Sequence, residues 1–276
     1  MKIQPLRWRS LKTRVILMAL AVFVLSVLSL TFLTSQILRK DLEHLVGEQQ
    51  FSAAAIIAAE IDQEIGDRIH ALELVAQQIQ PAHMAAPVKL RQLFAANPLL
   101  TTLFNGGAFV TNADATAIAS VPEAVGRVGV NYRERDHIVT ALKQGIPSVS
   151  EAVLGKMLKA PFVSLAVPVR NERQAVIGAL VGVINLGQPN FLDFIIGHRY
   201  GITGGYMLVD PAHRQIVTAT DKRFNLKPLP PLGADPVTDK YVEGFQGHGI
   251  LVDALGVENI SAGKSISTAK WIVVAL

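Results

Sequence analysis

The chain has 276 residues, half of them apolar, and no cysteine. That length holds one or two domains beside a membrane segment; the apolar share excludes a disordered chain, and the missing cysteines exclude disulfides, thiolate metal sites and a cysteine nucleophile. The sequence pI of about 9.4 does not mark a nucleic-acid binder: Lys2, Arg7, Arg9, Lys12 and Arg14 concentrate five of the 26 basic residues before position 15, and the other 21 face 22 acids, with no stripe of Lys, Arg and aromatics among them.

Residues 15–33, VILMALAVFVLSVLSLTFL, run for 19 positions without a charge, enough to cross a hydrocarbon core of ~30 Å as a helix. The basic cluster before it predicts that end inside and the rest outside. The length of the run, and the absence of a small-x-small site in Gln36-Ile37-Leu38-Arg39-Lys40, argue for an uncleaved anchor over a signal peptide. From position 35 to about 80 there is no proline, and apolar residues recur at Leu38, Leu42, Leu45, Ile57, Ile61, Ile65, Ile69, Leu72, Ala76 and Ile79. Spacings of three and four predict one helical face, in a helix that continues from the anchor and ends at Pro81 and Pro87.

A short helix is predicted over 88–96, then β signals begin. Residues 107–111 and 116–120 read as a hairpin about Asn112-Ala113-Asp114. The stretch 126–131 reads as a loop, and 132–143 as a helix stopped by Gly145. Strands follow at 148–153, 162–169 and 176–186, the last two joined at Asn171-Glu172-Arg173. After a helix at 191–197 the pattern restarts, with a hairpin at 204–209 and 215–220 and a helix at 237–245. Strands are then predicted at 249–254, 258–264 and 270–276. This order predicts an α+β chain with the long helix packed on a sheet face.

Several pieces resemble a known family. Asn131-Tyr132-Arg133-Glu134-Arg135-Asp136-His137-Ile138, followed by Ala141-Leu142-Lys143-Gln144-Gly145, is similar to the segment D-x-S-x-R-x-[YHW]-[YF] with A-L-x-x-G found in double Cache sensor regions. The strands at 161–169 and 178–186 resemble that family's P-x-[IVF]-x-[IVL]-[AS]-x-P-V and G-x-[IVL]-x-G-x-I-x-L. The resemblance covers almost the whole chain. It implies a transmembrane helix continuing into a stalk helix, then two tandem PAS-like antiparallel sheets. The division it implies is a cytoplasmic basic tail (1–14), a transmembrane helix (15–34), a stalk helix (35–80), a membrane-distal PAS-like module (81–200) and a membrane-proximal one (201–276). The tail at 219–274 looks like the proximal module of receptors with a GGDEF diguanylate cyclase or EAL phosphodiesterase output. A second membrane helix and that output are therefore expected beyond residue 276.

The residues themselves nominate a site. The Arg135 guanidinium offers a planar fork that matches a carboxylate. His137, two residues on, diverges by about 200° on a helix, so it shares a pocket with Arg135 only if the helix starts there. Tyr132 shares the helical face of Arg135. Asn185, Ser164 and Ser148 on the strands add amide or hydroxyl contacts. His137 is also the expected place for pH sensitivity. The competing reading pairs Arg135 with Glu134, Asp136 or a helix-end carbonyl and leaves Tyr132 to pack. Cache modules that hold amino acids through Arg-x-Trp-Tyr carry two aromatics where this chain has His137 and Ile138, so that geometry is not expected here.

Enzyme signals fail one by one. Gly263-Lys264-Ser265 echoes a phosphate loop, but Glu258 stands where that loop needs glycine. The seven histidines have no zinc spacing, there is no nucleophile elbow, and no cofactor motif occurs. The expectation is a bacterial inner-membrane sensor that binds a small anionic ligand, pairs as a homodimer through its stalk, and drives a cytoplasmic output. The alternatives are the sensor of a chemoreceptor or histidine kinase, an anchored enzyme with an unrecognised site, and an anchored scaffold for a protein partner.

Overall fold

The computed structural model describes residues 11–155, 157, 159–196, 204–252 and 258–276. Most of the basic tail (1–10), the predicted helix end at Gly197, the strand end at Ala254 and the division at 200/201 lie outside them. The chain forms two compact units, residues 1–47 and 48–276.

Helix α1 (Leu11–Gln77) has 67 residues. In the first unit its apolar side chains at 15–33 are all exposed, and this is the one helix among the described residues long and apolar enough to cross a membrane. Leu38, Leu42 and Leu45 are exposed as well. In the second unit the helix is amphipathic. Ala54, Ala58, Ile61, Ile65, Leu72, Val75 and Ala76 are buried in the main core, with Ile57 and Ile69 packed at its edge. Full burial of each of the larger side chains contributes about 1.5–3 kcal/mol.

The helix ends four residues before Pro81. The prolines start helices here instead of only stopping one: Pro81 and Pro87 each occupy the first turn of α2 (Pro81–Met84) and α3 (Pro87–Ala95), where the missing N–H costs nothing. A further turn, α4 (Leu99–Thr102), adds to the elements that the sequence pattern predicts.

The first sheet comprises β1 (Ala108–Asn112), β2 (Ala117–Val121), β3 (Ser148–Val149), β4 (Val153–Leu154), β5 (Pro161–Arg170) and β6 (Val176–Asn185), ordered β2-β1-β6-β5-β3 with β4 also on β5. Helix α5 (Asp136–Gln144) crosses it. After α6 (Phe191–Ile196), the second sheet comprises β7 (Tyr206–Asp210), β8 (Gln215–Ala219), β9 (Gly247–Val252), β10 (Glu258–Ile266) and β11 (Trp271–Ala275), ordered β8-β7-β11-β10-β9, with α7 (Pro236–Val242) between β8 and β9 in the chain. All pairings are antiparallel. The fold is therefore α+β, a long N-terminal helix followed by two antiparallel sheets of the same strand order.

Strand alternation assigns the two faces. On β5 and β6, Val163, Leu165, Val167, Leu180 and Ile184 point to the core that receives α1, and Ala166, Ala179, Val181 and Val183 point to the one under α5. The second sheet lends Leu208, Val217, Trp271 and Val273 to the α1 core and covers its other face with Tyr241 of α7.

Candidate functional site

Helix α5 is shorter than the predicted 132–143, for a local reason. The Asn131 side chain accepts the Arg133 N–H at 3.0 Å, and the Tyr132 N–H is taken by Ala115 O at 2.9 Å. These bonds hold 131–134 as a turn, so the helix starts at Asp136. Arg135 stays extended as the residue before it, and its side chain makes no cap bond. That start satisfies the condition for Arg135 and His137 to face one space. Gly145 closes the helix in the left-handed conformation, φ 68°.

The space is a narrow cavity between α5 and the sheet, with about 410 Å³ of empty space, the open solvent at its mouth included. Tyr132, Arg135, His137 and Ser164 all line it, with Arg127, Phe109, Phe162, Ile138, Val183, Gly155 and Met157. Ser148 lines a neighbouring cavity instead. Asn185 lines neither: its Oδ1 accepts the Gly187 N–H at 2.9 Å, and its backbone is clasped by Asn105. It shapes the turn after β6.

The sequence pattern places Arg127 only in the loop at 126–131. It is 3% exposed; its Nη2 donates to Gly106 O at 2.6 Å, and its Nη1 is enclosed without a partner. Its guanidinium lies 5.5 Å from the Phe109 ring centroid, and Phe109 lies 4.9 Å from the Tyr132 ring. The signal in sequence was an arginine between Gly126 and Gly129, two positions of positive φ.

Arg135 sits 5.9 Å from the Phe162 ring centroid. Its Nε is 3.5 Å from the Glu134 carboxylate, yet enclosed without a hydrogen-bond partner. Glu134 is thus a loose neighbour, with its side chain 47% exposed.

His137 Nε2 is 2.8 Å from Ser164 Oγ. Ser164 is fixed in turn by Ser150, whose N–H donates to Ser164 O at 2.8 Å and whose Oγ accepts the Ser164 N–H at 2.9 Å. Burial, assisted by the Arg135 charge, holds the His137 imidazole down at about 3. It is neutral across the range between about pH 5 and 8, so the pH sensitivity expected of it is corrected: a buried imidazole beside a guanidinium does not charge there. Burial pushes the Tyr132 phenol up, against the pull of Arg127 and Arg135. Burial also lowers Arg127.

The neighbouring cavity, about 460 Å³, shares Arg135, His137 and Phe162 with the first and adds Asp136, Thr140, Ser148, Ser150, Glu151 and His213. His213 comes from the β7–β8 turn. Its Nδ1 is 2.7 Å from Asp210, and its Nε2 is 3.4 Å from Glu151 beyond β3. Burial pushes the imidazole down, but the bond to Asp210 and the charges of Asp210, Glu151 and Asp136 outweigh it and hold it above its usual value. A raised histidine stabilises most fully below its unfolded value of ~6.5, and that contribution is lost as pH rises through the folded value. His213→Gln should therefore lower the melting temperature at about pH 5.5, with the gap to wild type closing by about pH 9. A gap that is constant with pH would contradict this reading.

The fold is similar to that of Cache-type ligand-binding domains of bacterial receptors. Among solved structures, the chain is similar to the ligand-binding domain of the Pseudomonas aeruginosa PAO1 amino-acid chemoreceptor PctB in complex with L-Arg (TM-score 0.64, 18% identity, 83% of this chain and 94% of that one). It is similar also to that of PctC from the same organism with GABA (TM-score 0.63, 17% identity, 83% and 99%). A third is an extracellular ligand-binding receptor from Desulfohalobium retbaense (TM-score 0.63, 15% identity), of which this chain covers 40% with 82% of its own length. No protein-family model matches the sequence, and no curated protein matches it.

Proposed function

We propose that the chain is the extracytoplasmic ligand-sensing region of a bacterial membrane receptor. It binds a small anion in the cavity beneath α5, through Arg135 with Arg127, Tyr132, His137 and Ser164. The observation that carries this reading is a pair of guanidinium groups, each with an enclosed nitrogen that no protein acceptor satisfies, in one largely apolar cavity. A buried donor without a partner costs about 1–3 kcal/mol, and a bound anion removes that cost. The structural neighbours hold L-Arg and GABA, which supports a small-molecule ligand.

In this reading residues 1–14 are cytoplasmic, 15–34 cross the membrane, 35–80 form the stalk, and 81–200 and 201–276 are the distal and proximal modules. Exposed Leu38, Leu42 and Leu45 supply a dimer contact. Ligand binding shifts the sensor between two states by its differential affinity for them, and α1 carries the change to a cytoplasmic output. Cyclic-di-GMP synthesis or breakdown is the output that the 219–274 resemblance supports. A chemoreceptor output is the second reading, favoured by the chemoreceptor neighbours.

A melting screen of the detergent-solubilised full chain against organic acids, amino acids, amines and purines tests the reading. We expect a concentration-dependent rise with one or more anions; a flat response to every anion overturns it.

A further inference from the structure

The ionised groups lining the cavity are of one sign. Arg127 and Arg135 both face it, and both pull on the Tyr132 phenol, with Glu134 outside the lining as a smaller opposing charge. Among the described lining residues there is no Asp or Glu. His137 is paired to Ser164 as a neutral ring. Glu134, the nearest acid to Arg135, is half exposed and outside the lining.

This one-sided set decides between ligand classes. An α-amino acid brings a carboxylate and an ammonium. Its carboxylate suits a guanidinium, but its ammonium would enter a desolvated space beside two cations, with no carboxylate to accept from it. The zwitterion is also neutral, so it adds no net charge to offset Arg127, whose Nη2 bonds the Gly106 carbonyl, or Arg135, which has one long ion pair with Glu134 at 3.5 Å. A dicarboxylate brings two negative charges, matches the two guanidinium groups in number and places no cation in the cavity. A monocarboxylate compensates only one.

We propose that the cavity takes an amine-free dicarboxylate, with Arg127 as a second anion-binding residue beside Arg135, and that it discriminates against amino acids. This rests on the reading of the cavity as an anion site.

The test uses matched probes on the detergent-solubilised full chain, by isothermal titration calorimetry. Succinate against aspartate differs by the amine, and succinate against propionate by one carboxylate. The expected result is that succinate binds at least ten-fold more tightly than either partner, and that Arg127→Gln removes most of the preference over propionate. Arg127→Lys, which keeps the charge and the reach toward Gly106 O, guards against loss of folding and should retain part of it. Aspartate binding as tightly as succinate overturns the amine exclusion while leaving an anion site in place. Propionate equal to succinate, or a preference over propionate untouched in a folded Arg127→Gln, overturns the role of Arg127. No binding by any of the three, nor by other anions in the melting screen, removes the anion site itself and this proposal with it.

Discussion

Replacing Arg135 by glutamine is expected to weaken binding of the best anion by about 2–4 kcal/mol, roughly 30- to 700-fold in Kd. The guanidinium is enclosed against Phe162, with an unsatisfied Nε in the cavity wall. Glutamine keeps a donor but loses the charge and the fork, and leaves the ligand carboxylate desolvated without a counter-ion. Folding should suffer little. Arg135 caps nothing with its side chain, its contact with Glu134 is long and half exposed, and removing a poorly compensated charge relieves the unliganded state. The signature is thus an unliganded melting temperature close to wild type with the ligand-induced rise gone. Full retention of that rise in Arg135→Gln would place the site elsewhere.

Gly107→Ala is expected to give the opposite signature, a fold loss felt before any ligand is added. Gly107 stands at the entry to β1 with φ 80°, a region costly for alanine. A Cβ there would meet Val121 O at 2.1 Å and Pro122 Cδ at 2.6 Å. The position cannot slide away, because the Gly107 N–H donates to Phe104 O at 2.7 Å and its carbonyl accepts the Val183 N–H at 2.8 Å. Strain and overpacking together cost about 3–5 kcal/mol. For a domain of this size that lowers Tm by about 6–20 °C, measurable by circular dichroism on the solubilised chain. A change under about 2 °C would mean that the β1–β2 edge yields more easily than its bonds imply.

Much of this was legible in the sequence because the periods are strong. The apolar residues from Ile57 to Ala76 repeat at helical spacing, and the helix buries that face. The hairpin turn at Asn112 was readable because the Asn112 side chain accepts the Asp114 and Thr116 N–H groups, a bond available only to a short amide or acid at that place. The α5 segment was placed correctly but started four residues early. Its first residues are polar enough for a helix, and the Asn131 side chain together with the Ala115 carbonyl, seventeen positions away from Tyr132, diverts them.

The site divides along the same line. Arg135 and His137 come together through local geometry, and Phe162 with Ser164 through alternation on β5. Arg127 depends on a long-range bond to Gly106 and a run of backbone turns, neither of which has a period. Ser148 and Asn185 lie on the expected strands, but each is drawn off by a neighbour: the edge of β5 for Ser148, the turn at Gly187 for Asn185. His213 meets Glu151 across more than sixty residues, and no local pattern announces that.

The strand order has a consequence for assembly. In the first sheet the strand made last, β6, is the one at the centre, with β1 on one side and β5 on the other. Its partner Ala108 precedes Gly182 by more than seventy residues. A nascent chain that has emerged only as far as Arg170 therefore carries a finished hairpin and a ten-residue strand, each with a bare edge and nothing to bridge them. The closure entropy of that long loop falls due in a single late step, and until then both edges are open to wrong pairing. Phe109, Phe162 and Val183, which line the cavity, belong to the three strands this step brings together. The cavity is thus completed in one step, when the last strand of that sheet emerges, and substitutions on β6 should slow that step more than those on β2.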